Sequence, residues 1–237
     1  MDRQFAVAVV GATGLVGEMM INVLEERAFP VSQLFALASN RSLGRSVSFR
    51  GQSYPVNELE GFDFAQCDFA LFSAGAAVSR EHAPRAAAAG CIVIDNTSEF
   101  RYQESVPLVV PEVNPQALEG FGGSGIVANP NCSTIQLVVV LKPLHDEAHL
   151  ERVEVATYQS VSGAGREAVE ELARQSIAAL SGQGPPHTHG GAKPIAFNCV
   201  PHIDAFQDNG YTREEMKIVW ETRKILGEPQ LDRKSVV

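Results

Sequence analysis

The opening stretch "FAVAVVGATGLVGEMMINVLEE" constrains the fold more than any other part of this sequence. An apolar run from Phe5 to Val10 meets a glycine-rich turn, and Leu15, Met19 and Val23 follow at helical spacing. The pattern predicts strand, loop and helix. Gly11, Gly14 and Gly17 stand as G-x-x-G-x-x-G, a spacing that permits a tight bend, a close backbone approach and helix N–H groups aimed at a bound pyrophosphate. The expected cofactor contacts in this turn are Gly11, Thr13, Gly14, Leu15, Val16 and Gly17. The plainer alternative is a glycine turn that only packs a helix on a sheet. Its place at the first strand-to-helix junction favours the nucleotide reading.

A second strand is expected at "QLFALAS", at whose end an NAD-binding fold usually carries an acidic residue for the ribose diol. There is no Asp or Glu between Gln33 and Arg50. The loop "SNRSLGR" offers instead Arg41 and Ser42, a guanidinium and a hydroxyl suited to a 2′-phosphate, so NADP is expected over NAD. The alternative for Arg41 is a solvated loop charge. Two further apolar runs, "FALFSAGA" and "CIVIDNTSEF", flank the alanine-rich "AAVSREHAPRAAAAG", which reads as a helix stopped at Gly90. Strand and helix in alternation imply a parallel sheet with ligands at the carboxyl ends of its strands, where Ser73, Gly75 and Asn96 fall. Polar residues there also serve simply to start loops.

Composition narrows the function classes. The formal charge of −9 and pI near 5.2 oppose a phosphate polyanion and speak against nucleic acid as partner. No apolar run approaches the roughly 20 residues that span a bilayer, and no signal-peptide pattern precedes the first strand, so a cytoplasmic protein without a membrane partner is expected. The cysteines, Cys67, Cys91, Cys132 and Cys199, form no CxxC pair and no zinc spacing with histidine. Cys67 and Cys91 border apolar runs and read as core or strand-edge thiols.

Cys132 differs from these. It follows the short strand "GIVA" in "NPNCST" and opens the predicted helix "CSTIQLVVVLKPL". A free cysteine is often only a small buried side chain. A helix N-terminus, however, favours a thiolate, and the end of a strand in a dinucleotide-binding sheet brings it near a nicotinamide.

The motifs "VVGATGLVG", "DNTSEFR" with "VPLVVPEVNP", "NPNCSTIQ", "YQSVSGAG" and "EEMK" with "ETRKIL" together resemble the bacterial aspartate-semialdehyde dehydrogenase family, in family order over nearly the whole chain. The glyceraldehyde-phosphate and acetylglutamyl-phosphate reductases share that chemistry but surround the cysteine differently. The resemblance implies an α/β chain: a Rossmann-type doubly wound sheet domain over 1–131, then an incomplete α+β catalytic and dimerisation domain over 132–237. It implies NADPH-dependent reductive dephosphorylation of aspartyl 4-phosphate to aspartate semialdehyde through a thioester on Cys132, in lysine, threonine, methionine, isoleucine and diaminopimelate biosynthesis. It also implies a homodimer.

By the same resemblance, Arg101 in "SEFR" binds the phosphate and Gln159 orients the thioester carbonyl. Ser162 and Gly163 approach the nicotinamide end. Lys217 assists with phosphate and Glu214 with the substrate's amino group. Taken as residues alone, Thr212 and Glu215 form a capping-box pattern, Arg101 is equally a surface loop charge, and Glu214 with Lys217 at i,i+3 is equally a solvated helix ion pair.

The family's general-base histidine, with an arginine for the substrate carboxylate, follows a strand beyond the "RKIL" helix. Here the pattern stops after "ETRKILGEP", and none of His82, His145, His149, His187, His189 and His202 lies in that motif. His189 and His202 read as structural or surface residues. The chain is thus expected to lack the family's C-terminal part and, with it, full activity. The contrasting expectation is a non-catalytic NADP-binding or interaction protein built on the same fold.

Overall fold

The alternation of apolar runs with helix-forming segments produces a mixed sheet with helices on both faces. The computed structural model describes residues 3–183 and 193–236; His187 and His189 lie outside the described residues. Strands β1 (Phe5–Val10), β2 (Val31–Ala38), β3 (Ser46–Phe49), β4 (Gln52–Glu58), β5 (Phe69–Phe72), β6 (Ile92–Asp95) and β7 (Ile126–Ala128) lie in the order β3-β4-β2-β1-β5-β6-β7. Every neighbouring pair is parallel except the hairpin β3–β4, whose turn places Arg50 and Gly51 at φ of 50° and 71°. Two successive left-handed residues match the twist of a two-residue hairpin.

Side-chain alternation along the strands separates two cores. Ala8, Val10, Phe35 and Leu37 enter one apolar cluster, whereas Val7, Val9, Leu34 and Ala36 enter the other. Helices α2 (Ala76–Ala88) and α3 (Cys132–Ala148) send Ala83, Ala86 and Val138 into the first cluster, and helix α1 (Leu15–Glu26) sends Ile21 into the second. This is the doubly wound arrangement expected from the sequence. The expected stripe of α1 is corrected, however. Met19 and Val23 are exposed, at 57% and 36%, and the face that packs carries Gly17, Ile21 and Leu24. The helix turns its glycine inward because a Cβ at Gly17 would lie 2.2 Å from Gly11 O in the turn after β1.

The chain divides into two units. The first comprises Met1–Glu151 with Trp220–Leu231, and the second Arg152–Val219 with Asp232–Val237. The expected 131/132 boundary therefore falls within the first unit. The reason is burial: Val138 of α3 and Ile225 of helix α5 (Arg213–Leu226) join the same cluster as the sheet. In the second unit, β8 (Arg152–Ala156) pairs in parallel with β9 (Asp232–Val236), and helix α4 (Arg166–Leu180) buries Gln175. The Gln175 side-chain oxygen accepts from the N–H groups of Ile195 and Ala196, fixing that loop. Among the described residues no helix is long and apolar enough to cross a membrane.

Cys67 and Cys91 are buried in the first cluster, as their sequence context suggests. Burial, reinforced by nearby acidic groups, pushes both thiols up to about 12 from an ordinary value of 9.0. The folded chain thus holds these protons while the unfolded chain releases them near 9.0, so their contribution favours folding up to that pH and is lost progressively towards 12. Iodoacetamide at about pH 8 is expected to label exposed Cys132 and Cys199 in the native protein and to reach Cys67 and Cys91 only after denaturation. Peptide-level mass spectrometry checks this; native labelling of the two core thiols at the rate of Cys199 would contradict it.

Candidate active site

The carboxyl ends of β1, β2 and β5 converge on the glycine turn. Because the chain lays β2 and β4 on one side of β1 and then returns with β5 on the other, β1 marks the switch point where doubly wound sheets bind ligands. Gly11 has φ +88°, and a Cβ there would meet Ala74 N at 3.0 Å and the Ser73 carbonyl carbon at 3.1 Å. At Gly17 a Cβ would lie 2.2 Å from Gly11 O. The turn thus packs tightly on its own helix, as the plainer alternative requires. Gly14 is the N-cap of α1 with no side-chain cap hydrogen bond, leaving the first-turn N–H groups beside Leu15 and Val16 for an acceptor.

Other expected cofactor residues gather at the same edge. Thr13 Oγ1 and Ser42 Oγ are 3.1 Å apart, joining the turn to the loop after β2. Arg41 stands exposed beside it on the turn Asn40–Ser42. Ser73 Oγ donates to Val10 O at 3.1 Å, and Gly75, with φ 96°, begins α2. These features fit a dinucleotide: a close backbone approach, uncapped N–H donors and no acidic side chain at the end of β2.

Further along the same edge, Cys132 is the exposed first residue of α3. Asn131 caps the helix, its Oδ1 accepting from Ser133 N at 2.9 Å and Thr134 N at 3.4 Å. The loop after β6 is tied to this loop by Asn129 Nδ2, which donates to Asn96 Oδ1 at 2.6 Å. Arg101 is no surface charge. It is 6% exposed, donating from Nη1 to Glu221 Oε1 at 3.0 Å and from Nη2 to Asn96 O at 2.9 Å, while its buried Nε has no partner among the described residues.

In the second unit, Gln159 is half-buried, with Nε2 donating to Thr157 Oγ1 at 3.2 Å. Ser162 and Gly163 sit exposed on the tight turn Val161–Ala164, and open space surrounds Gly163. The capping box at the start of α5 is formed: Thr212 N donates to Glu215 Oε2 at 2.6 Å and Glu215 N to Thr212 Oγ1 at 3.2 Å. Lys217 donates to Glu214 at 3.0 Å and to Asp204 at 2.8 Å. Glu214 is buried, so the pair is not a solvated helix salt bridge. Burial works against the Lys217 ammonium, but its hydrogen bonds to Asp204 and Glu214 prevail and hold its pKa above the ordinary lysine value. His202 is exposed and stacks on Phe206.

Sequence reasoning missed Glu221, Lys224 and Asp204. Glu221 sits at helical spacing between Ile218 and Ile225, and an acidic residue on an otherwise apolar stripe is the signal that marks it. Lys224 Nζ donates to the carbonyls of Arg101, Gln103 and Val106 at 2.9, 2.7 and 3.0 Å, pinning the loop that carries Arg101. Asp204 lies in an irregular loop without local pattern.

Comparison with known proteins gives the family and the fold. Residues 6–121 match the family model for the semialdehyde dehydrogenase NAD binding domain, and residues 141–236 that for the semialdehyde dehydrogenase dimerisation domain. Aspartate-semialdehyde dehydrogenase 2 of Vibrio cholerae is 55% identical over 231 residues, which are 98% of this chain and 68% of that protein. The crystal structure of aspartate semialdehyde dehydrogenase II from Vibrio cholerae complexed with ASA superposes with a TM-score of 0.96 at 53% identity, covering 99% of this chain and 70% of that one. The enzyme of Candida albicans, crystallised with NADP, gives 0.72 at 26% identity, over 99% of this chain and 67% of that one.

Two of the candidate glycines, one in each unit, differ in what they tolerate. Gly17→Ala is expected to lower unfolding free energy by about 2 kcal/mol, because its Cβ has no room beside the Gly11 carbonyl. Gly163→Ala, in open space, is expected to shift it by less than about 0.5 kcal/mol. Denaturant titration of both variants checks the contrast, and equal effects would contradict it.

Proposed function

The chain belongs to the aspartate-semialdehyde dehydrogenase family of oxidoreductases, and from that premise we propose that it carries the NADPH-dependent reductive dephosphorylation of L-aspartyl 4-phosphate. The observation that supports this most is Cys132: an exposed thiol as the first residue of α3, at the carboxyl end of a nucleotide-binding sheet.

In this reading Cys132 Sγ attacks the acyl carbon, the C–O bond to phosphate breaks, and phosphate leaves with the electron pair. The Asn131 cap holds the helix terminus that presents this thiol. Arg101 takes the departing phosphate with N–H donors not already used by Glu221 and Asn96, a guanidinium being suited to that group. Gln159 orients the thioester carbonyl through its amide. Lys217 assists with phosphate and Glu214 with the substrate's ammonium. NADPH, when bound, would supply the hydride that reduces the thioester carbon, and cleavage of the C–S bond would release aldehyde and return the Cys132 thiolate.

Gly11, Thr13, Gly14, Leu15, Val16 and Gly17 would hold the pyrophosphate, with Ser73 and Gly75 flanking it, and Ser162 and Gly163 would meet the nicotinamide end. Arg41 and Ser42 are read as the 2′-phosphate site, a preference supported by the absence of an acidic residue at the end of β2 and by the NADP in the Candida albicans structure. The pathway reading is biosynthesis of lysine, threonine, methionine, isoleucine and diaminopimelate. We place the protein in the cytoplasm as a homodimer, a reading supported by the match to a dimerisation domain and by Val140 and Leu144 of α3, exposed at 60% and 51%.

Two measurements test this reading. NADPH is expected to bind about tenfold or more tightly than NADH, and Arg41→Ala to remove most of that difference. Reduction of NADP with aspartate semialdehyde and phosphate is expected to vanish in Cys132→Ala, with NADPH affinity kept within about twofold. Equal turnover in the two chains would instead favour a binding protein.

A further inference from the structure

Glu221 is fully buried, with 0% exposure, on a stretch of α5 otherwise occupied by apolar and polar packing residues. Its Oε1 accepts from Arg101 Nη1 at 3.0 Å and Tyr102 Oη at 3.3 Å. Its Oε2 accepts from the Asn131 backbone N–H at 2.6 Å. One carboxylate therefore grips the loop after β6 and the loop after β7 at once. The second of those residues caps α3 immediately before Cys132.

The arrangement is more costly than packing alone would require. An apolar residue at 221 would fill the space without burying a charge, and a buried ion pair is often no more stable than its hydrophobic replacement. What the carboxylate supplies is direction. A guanidinium held through Nη1 and Nη2, the latter on Asn96 O, has its plane set on two sides while Nε remains without a partner among the described residues.

We propose that Glu221 is a positioning residue for the phosphate site: it orients Arg101 towards the leaving phosphate and locks that guanidinium to the start of the Cys132 helix. This rests on the reading above, in which Arg101 binds phosphate and Cys132 is the nucleophile. An amide at this position can accept from Arg101 or from Asn131 N–H, but it turns an NH2 donor towards the other. Glu221→Gln thus keeps shape and breaks the joint grip.

The test reads phosphate binding without turnover, as the inorganic phosphate concentration that halves the rate of iodoacetamide alkylation at Cys132, followed at the peptide level. In the wild-type chain phosphate is expected to protect Cys132. Glu221→Gln is expected to raise the half-protecting concentration about tenfold, the scale of one lost charge-assisted hydrogen bond. Arg101→Lys is expected to raise it as well, and the double variant to lie within about twofold of Arg101→Lys alone, since the carboxylate acts through the arginine. Additive losses, or a wild-type value in folded Glu221→Gln, would overturn the proposal. Absence of phosphate protection in the wild type would overturn the underlying reading and the proposal with it. Should Glu221→Gln fail to melt cooperatively, Glu221→Asp, which keeps the charge but shortens its reach to Arg101 and Asn131, carries the test. A raised half-protecting concentration there supports the proposal, and an unchanged one overturns it.

Discussion

A carboxylate with no exposed surface persists only where its charge and lone pairs are met, and the site side of the first unit is organised around meeting those of Glu221. Arg101, Tyr102 and the Asn131 N–H converge on it from two loops that are remote from it in sequence. Losing one partner of such a buried group costs about 3–5 kcal/mol, so the two loops are not free to drift independently. Lys224, one turn further along α5, extends the same grip through three carbonyls of the Arg101 loop, its burial pulling its pKa below the ordinary lysine value. Helix α5 is thereby the element that fixes where Arg101 and the loop before Cys132 stand.

The nucleotide side rests on a different constraint, the absence of side chains. Gly17 lets α1 close on the Gly11 carbonyl, and Gly11 lets the turn pass against Ser73 and Ala74. Steric necessity and ligand access here require the same residues. The packing account of the glycine turn and the nucleotide account are therefore compatible. The contact between Thr13 and Ser42 then ties this turn to the loop after β2.

Much of this was legible beforehand where the signal is local. Strand β1, the glycine turn and α1 follow one another in sequence, and so do β7 and the helix that Cys132 opens; periodicity suffices for both. The capping box of Thr212 and Glu215 was likewise readable from spacing. The face of α1 was not, because an apolar stripe at Leu15, Met19 and Val23 outweighs a glycine in any count of hydrophobic residues, while the fold needs the glycine face inward. The hairpin β3–β4 carries few apolar residues and depends on the turn at Arg50 and Gly51. Glu221 and Asp204 act through partners 13 to 120 residues away, a separation that no local pattern encodes.

The central claim is that Cys132 is the nucleophile towards an acyl phosphate. Its most direct test is to mix the chain with aspartyl 4-phosphate in the absence of nicotinamide cofactor, quench in acid and map the adduct by mass spectrometry. The account predicts one aspartyl group on the peptide carrying Cys132, removed by hydroxylamine and absent in Cys132→Ala. An unmodified Cys132, or an adduct of equal yield on Cys199 that survives Cys132→Ala, would contradict it.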